Sequence, residues 1–389
     1  MSALIAGYAR TPFVRFNGGL ASVPATMLGA HATTAALERA GISPEIVQRV
    51  YAGQVLQSGS GQNPARQSAV GAGISFRTPS MTVNAVCLSG MEAVTAGERL
   101  ISAGEADVVV ALGQESMSLA PHAQTARAGT RYGAIEMVDT LELDGLTDAF
   151  EKRSMGSSTE DGNTTRGISR TAQDEWAARS HRLAAAAESF HAAEISPYTL
   201  VTRKGEVLVS SDDGVRPNTT MATLNKLRPA FSREGTITAG NSSQITDGAA
   251  ALVLVSPKAA ETLGITPLAE VISHSMVAGP GVALHDQPAD AIRAALAGTH
   301  LTPSDLAVVE INEAFAAVAV QSTESLGVDL SIVNPKGGAI ALGHPIGASG
   351  ARLIGTLARQ LAETGSGALG AAGICGGGGQ GSAVILRAS

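Results

Sequence analysis

The chain predicts an α/β protein made of two similar halves with a long insertion interrupting them, and three observations carry that prediction. Strand-like apolar runs alternate with helix-like segments toward both ends of the chain, and the alternation stops between about Ser116 and Thr246. Residues 106–113, Ala-Asp-Val-Val-Val-Ala-Leu-Gly, form a continuous apolar run of the kind expected in a sheet covered on both faces. Residues 87–113 echo residues 347–374: Cys-x-Ser-Gly or Gly-Ala-Ser-Gly, a helix, a turn containing Gly and Glu, then an apolar strand. That spacing is far longer than a solenoid repeat and reads as one duplicated unit.

In order, residues 2–8 read as a strand and 25–40 as a helix stopped by Gly41. A strand follows at 49–55, then a helix at 63–71 opened by Pro64 at its first position. Residues 80–86 are a strand, 88–103 a helix and 106–113 a strand. Right-handed crossovers between such units imply a largely parallel sheet. The excursion at 116–246 contains Pro121 and His122, a polar run at 154–170, one strong helix at 171–191, and loops rich in Asp, Gly and Pro at 211–218. Long insertions of this kind are often binding loops. Alternation resumes with a strand at 247–256, a helix at 257–263, a strand at 268–278 and a helix at 288–297. It continues with a strand at 307–311, a helix at 313–326, a strand at 332–334 and a helix at 348–364, and ends with strands at 367–374 and 382–386. Two sheets packed around shared central helices are expected, with corresponding loops of the halves meeting at one end. The expected division is a first half at 1–117 completed by 247–267, an insertion at 118–246, and a second half at 268–389.

Composition narrows the function. The 389 residues are 44% hydrophobic and 16% charged, enough to bury a large core. A net charge of −7 with no Lys/Arg run argues against a nucleic-acid surface. No apolar run is long enough to span a bilayer. The first residues lack a signal-peptide pattern, and Arg387-Ala388-Ser389 is not a peroxisomal address, so a cytoplasmic protein is expected. The two cysteines, Cys87 and Cys375, form no CxxC and no zinc-spaced cluster, so a chemical role is expected of them rather than a metal site or a disulfide.

Four stretches can carry chemistry, and each stands after an apolar strand, where ligands bind in open α/β folds. In Val83-Asn84-Ala85-Val86-Cys87-Leu88-Ser89-Gly90 the cysteine stands at a helix start, where N–H groups and the dipole favour a thiolate. By itself the segment also suits a small buried apolar residue. Cys375 opens Cys-Gly-Gly-Gly-Gly, which is either a turn between antiparallel strands or a place where backbone N–H groups approach a ligand oxygen. His344, within Gly-His-Pro-Ile-Gly, is shaped by small residues and Pro before a helix and can activate a thiol or stabilise an oxyanion. Asn312 and Glu313 begin a helix after strand 307–311, where both are good structural residues.

Taken together, these stretches resemble the thiolase family, the acetyl-CoA acetyltransferases and 3-ketoacyl-CoA thiolases. The likeness runs from Arg10-Thr11-Pro12 to the C-terminus. It includes Gly113-Gln114-Glu115-Ser116-Met117-Ser118, residues 145–150, residues 239–244 and Asp247-Gly248-Ala249-Ala250. The resemblance implies the thiolase fold, duplicated βαβαβαββ halves in an αβαβα layering, with 118–246 as a loop domain that binds coenzyme A. It implies Cys87 as the acyl-accepting nucleophile and His344 as its activator. With a water held by Asn312, His344 would also stabilise the thioester oxygen of the second substrate. Cys375 would remove the α-proton, and the N–H groups of Cys87 and Gly377 would hold the acetyl-enzyme oxygen. Arg216 and Ser243 match positions that contact the nucleotide and pantetheine. Leu146, Met155, Leu227, Ala239, Met276, Ala314 and Phe315 match lining positions. The expected reaction is reversible condensation of two acetyl-CoA, by ping-pong kinetics through acetyl-Cys87, with no metal or other cofactor; coenzyme A and acyl-CoA are substrates. A homodimer or homotetramer is also implied.

Three features depart from the family pattern: Ser154 where many members carry His, Lys336 in place of a small polar residue, and the segment 277–284. They bear on chain length more than on catalysis, so a 3-ketoacyl-CoA thiolase of broader range is the alternative. A decarboxylating condensing enzyme would carry a Cys-His-His set, whereas this chain has Asn312 and a second Cys. A non-catalytic acyl-CoA-binding protein would be expected to lose a chemical residue, and none is lost.

Overall fold

The computed structural model describes residues 2–129 and 131–389. The first half contains β1 (Leu4–Arg10), β2 (Val14–Arg15), α1 (Ala25–Ala40), β3 (Arg49–Gly53), α2 (Pro64–Gly71), β4 (Ser80–Val83), α3 (Ser89–Ser102) and β5 (Val108–Glu115). Helix α1 ends where Gly41 turns left-handed, φ 65°, and returns its N–H to the last-turn carbonyls. Helix α2 starts where the Asn63 side chain accepts the Arg66 N–H and Pro64 takes the first position. The insertion holds β6 (His122–Ala123), β7 (Val138–Asp139), α4 (Met155–Arg166), α5 (Arg170–Ala186), α6 (Glu188–Glu194), β8 (Tyr198–Thr202), β9 (Gly205–Val209) and α7 (Met221–Leu224). The chain then returns through β10 (Thr246–Val255), α8 (Pro257–Leu263), β11 (Ala269–Ala278), α9 (Gln287–Ala297) and β12 (Val308–Ile311). It finishes with α10 (Ala316–Leu326), α11 (Ala339–Leu342), α12 (Ser349–Thr364), β13 (Leu369–Gly376) and β14 (Gln380–Ala388).

The duplication is visible in the strand order, β12-β13-β14-β11-β1-β10-β5-β3-β4. Read outward from the centre, one half runs β1-β10-β5-β3-β4 and the other β11-β14-β13-β12, followed by a lone parallel bridge between Val309 and Val333. The halves are joined edge to edge by two antiparallel pairs, Leu4–Glu270 and Ile5–Ala269. Helices α3 and α12 pack on each other and touch strands of both halves. Side-chain alternation then builds the layers. On β10, Leu252 and Leu254 face a central core with Met91 and Val94 of α3 and Leu353 and Leu357 of α12. Ala251, Val253 and Val255 face an outer core with Leu28, Ala32 and Ala36 of α1. A matching outer core covers the other half, with Ile292 of α9 and Ala319 of α10 against Val309, Ala371 and Ile385. Helix, sheet, helix, sheet, helix is the result. No helix among the described residues is long and apolar enough to cross a membrane.

Four expectations are corrected. The sheet is mixed rather than largely parallel: among the described residues only β3–β4, β3–β5 and β12–β13 are parallel strand pairs. β10 re-enters from the insertion and β14 folds back from β13 as a hairpin, so each runs against its neighbours. The expected strand at 332–334 is a short turn, Leu330–Ile332, plus the single bridge. The Asn334 side chain takes the strand's place by accepting the Ile311 N–H and donating to the Ile311 carbonyl, both at 2.8 Å. The expected helix at 171–191 breaks at Ala187, within an alanine run that carries no breaker. The break turns α6 so that His191 and Glu194 reach the interior, with Glu194 on Arg10. The helix expected from Glu313 begins only at Ala316.

Candidate active site

The strand leading to Cys87 ends at Val83, and a tight loop follows. Asn84 folds its side chain over the Val86 N–H at 3.0 Å, and the Ser89 hydroxyl accepts the Ala85 N–H and donates to the Val86 carbonyl at 2.6 Å. These bonds hold Val86 at φ 53°, a left-handed conformation that a β-branched residue rarely adopts. The bend buries Cys87 just ahead of α3, among Leu88, Met91 and Ile346 of the central core.

His344 lies in the loop between α11 and α12. Its N–H is accepted by Thr246 Oγ1 at 3.1 Å and by the Gln244 carbonyl at 3.2 Å. The Ser349 hydroxyl donates to the Pro345 carbonyl, so its oxygen accepts from His344 Nδ1 at 2.6 Å. The imidazole proton is thereby on Nδ1, and Nε2 carries the lone pair. Asn312 Nδ2 approaches that Nε2 at 3.4 Å, and Asn312 Oδ1 is buried with no hydrogen-bond partner among the described residues. Asn312 is not a helix cap. It sits in a loop held by Glu313, whose buried carboxylate accepts from Trp176 Nε1, the Ser180 hydroxyl, Asn334 Nδ2 and the Ile340 N–H at 2.7–3.0 Å. Glu313 is therefore an interior clamp rather than a first-turn helix residue.

Cys375 stands near the end of β13, and Gly377, Gly378 and Gly379 turn the chain into β14. Gly378 and Gly379 have φ of 79° and 70°, and a side chain on Gly379 would run into the Gly281 carbonyl. The turn brings the Gly377 N–H, from the second half, onto the Cys87 sulfur, where the N–H of Cys87 itself also reaches. Cys375 is close enough to Cys87 for the two thiols to repel as anions.

Cys87 and His344 share the wall of a cavity of about 590 Å³. Of the positions the resemblance implies, Leu146, Met155, Ala239, Ala314 and Phe315 line it, and so does Ser243. Gly377 lines a second cavity that shares Met155 and Gly145 with the first. Leu227 lines neither cavity and packs against Gly240, and Arg216 is exposed, its guanidinium 3.4 Å from Gln244 Oε1. Met276 is on neither wall. On β11 Ser275 faces α9, where its hydroxyl donates to the Ala291 carbonyl, so Met276 turns to the opposite face with His274, which meets Glu98 of α3.

Two family models match this chain: the thiolase N-terminal domain over residues 3–258 and the thiolase C-terminal domain over 265–388. A protein of Mycolicibacterium smegmatis named probable acetyl-CoA acetyltransferase is 50% identical over 388 residues, covering 99% of this chain and all of the relative. The chain belongs to the thiolase family. A probable acetyl-CoA acetyltransferase of Mycobacterium tuberculosis is 49% identical over 100% of this chain and 99% of its own length. An acetyl-CoA acetyltransferase of Cupriavidus necator is 45% identical over 99% of this chain and 98% of its own.

The electrostatics of this thiolase differ from the expectation at one point. Burial pushes the Cys87 thiol up to about 12, against the N–H groups of Cys87 and Gly377 that favour the anion. A helix start does not outweigh complete desolvation. Burial, followed by the charge of Cys87, raises Cys375 as well. Burial, with the Arg352 charge behind it, lowers His344 to about 3. The Cys87 and His344 shifts both favour the uncharged forms, a thiol and an imidazole. Sequence reading missed several thiolase residues here. Ser349 holds the imidazole, Thr246 accepts the His344 backbone N–H, and Phe231, 6.1 Å edge-on from Phe315, closes the cavity wall. The only available signal was Ser349 standing in the echoed Ser-Gly pair; for Thr246 and Phe231 the partner is remote in sequence.

Proposed function

We propose that this thiolase is an acetyl-CoA C-acetyltransferase that works through acetyl-Cys87. The observation that carries the reading is the meeting of two halves around one sulfur: Cys87 from the first, and the Gly377 N–H with His344 from the second. His344 Nε2 takes the thiol proton as Cys87 sulfur attacks the thioester carbonyl, and hands it to the departing coenzyme A sulfur. The acetyl oxygen then lies between the N–H groups of Cys87 and Gly377. Cys375 then passes its own proton to His344, and the resulting thiolate, whose strongly raised affinity for protons suits a weakly acidic carbon, takes an α-proton from the second acetyl-CoA. Its thioester oxygen faces His344 and a water on Asn312, a place supported by the spare buried acceptor of Asn312. The carbanion attacks acetyl-Cys87, which releases acetoacetyl-CoA, and His344 returns its proton to the departing Cys87 sulfur.

The wall residues Leu146, Met155, Ala239 and Ser243 come from 118–246, which supports that insertion as the coenzyme A-binding loop domain. A second copy is proposed to pair along the edge strand β4, where Met81 stands 58% exposed, with Phe76 in the preceding turn 73% exposed. The test is thiolysis: purified protein receives acetoacetyl-CoA and free coenzyme A, and the acetoacetyl absorbance is followed. Rapid loss is expected, slower with longer 3-ketoacyl-CoA. No thiolysis by the wild type would refute the function, and a preference for long chains would favour the broader 3-ketoacyl-CoA thiolase.

A further inference from the structure

Glu115 is a fully buried carboxylate that the reaction above does not use. It ends β5, all of whose residues are buried, and no Lys or Arg pairs with it among the described residues. Its charge is held by backbone alone. Oε1 accepts the Leu56 N–H at 3.1 Å, while Oε2 accepts the Val55 N–H at 3.0 Å and the Gly347 N–H at 2.9 Å. Val55 and Leu56 follow β3 in the first half. Gly347 belongs to the second half, three residues after His344. One carboxylate therefore spans the seam on which the site is built.

The fit leaves no slack. A methyl group at 347 would lie 2.7 Å from Glu115 Oε2 and 2.8 Å from the Gln114 carbonyl, so only glycine lets the loop come this close. The loop is pinned at its other end by the bonds the His344 N–H donates to Thr246 Oγ1 and the Gln244 carbonyl. Between the pins stands Ile346, on the cavity wall beside Leu56 and Gly145. Burial raises Glu115 to about 7, and the three N–H bonds are what hold it down against that cost. A residue kept only for stability is poorly served by an unpaired buried charge.

We propose that Glu115 is a positioning residue for the thiolase reaction: by gripping Gly347 from across the two halves, it sets where the His344 imidazole stands relative to Cys87. The inference rests on the proposed role of His344. Glu115 touches no reacting atom, so its effect belongs to the chemical step and not to coenzyme A binding.

The test uses Glu115→Gln and Gly347→Ala, singly and together, in the full-length protein. The amide keeps the shape but turns an NH₂ toward at least one N–H donor. For Glu115→Gln, kcat for thiolysis is expected to fall between about 10- and 100-fold, the scale of a sub-ångström to ångström misplacement, with KM for coenzyme A within about twofold. Gly347→Ala should give the same split, and the double variant should lose little more than either single one. A Glu115→Gln enzyme with kcat within twofold of wild type overturns the inference, as does a rise in KM that accounts for the loss. If Glu115→Gln does not fold, Gly347→Ala decides: a folded variant with wild-type kcat overturns it, and one with reduced kcat and unchanged KM supports it. Wild-type protein without thiolysis, or His344→Ala with full activity, would instead refute the functional reading on which the inference stands.

Discussion

At the scale of single residues, the two cysteines are chemically distinct although both are buried thiols. Cys87 has two N–H groups aimed at its sulfur, a cradle for an acyl oxygen in the acyl-enzyme. Cys375 receives its own N–H among the described residues and feels the charge of Cys87. Cys375→Ala is therefore expected to take up one acetyl group from acetyl-CoA, visible as a mass increase of the intact protein, while losing turnover. Cys87→Ala should gain no mass. A folded Cys375→Ala protein that binds coenzyme A but stays unacetylated would overturn this division of labour. Cys87, His344 and Cys375 were legible in the sequence because each has unusual neighbours. Glu115 was not singled out for its own role, since its partners are backbone N–H groups that a sequence does not display.

At the scale of elements, Cys87, Asn312 and His344 each stand in a loop that a buried polar group fastens, whereas Cys375 stands on strand β13. Ser89 fastens the Cys87 bend, Glu313 the Asn312 loop, and Ser349 the imidazole. Ser349 opens α12 just as Ser89 opens α3, so the duplicated Ser-Gly start does related work in both halves. Ser349→Ala would leave the buried His344 Nδ1–H without an acceptor, a cost of about 1–3 kcal/mol. It also frees the ring to change tautomer. A drop in the unfolding midpoint and at least about a tenfold loss of kcat are expected, the scale of a general-base contribution. Thiolysis within twofold of wild type would show that the hydroxyl does not hold the tautomer.

At the scale of the whole molecule, the insertion is locked to both halves by one interior network. Arg10 of β1 donates from Nε to Glu194 of α6 at 3.0 Å and from both terminal nitrogens to Asp212, while Thr356 of α12 donates to Glu194 at 2.7 Å. Burial alone would raise Glu194, but His191, Arg10 and Thr356 outweigh it and bring it down to about 2. Its folded value lies below its unfolded one, so its stabilising share is complete above the ordinary carboxylate range near 4.3 and is lost as pH falls toward 2, a loss on the order of 3 kcal/mol. Urea unfolding between pH 5 and 2 should show that decline in wild type and a shallower one in Glu194→Gln. Parallel declines would rule out Glu194 as a source of the acid sensitivity.

Some of this protein was written in local sequence. The alternation of strands and helices, the excursion and the duplicated Ser-Gly starts follow from periodicity and turn residues, which act over a few positions. That is why α1, α2 and α8 match the reading closely. The directions of β10 and β14, the replacement of a strand by the Asn334 amide, and the break at Ala187 were decided by tertiary packing. So was the state of the site. A helix start favours a thiolate, yet enclosure by two halves removes the water that would solvate it, and burial pushes the Cys87 thiol up. The residue types were set by the sequence; their proton affinities and their meeting across the seam came only with burial, because desolvation depends on every element that closes over the site.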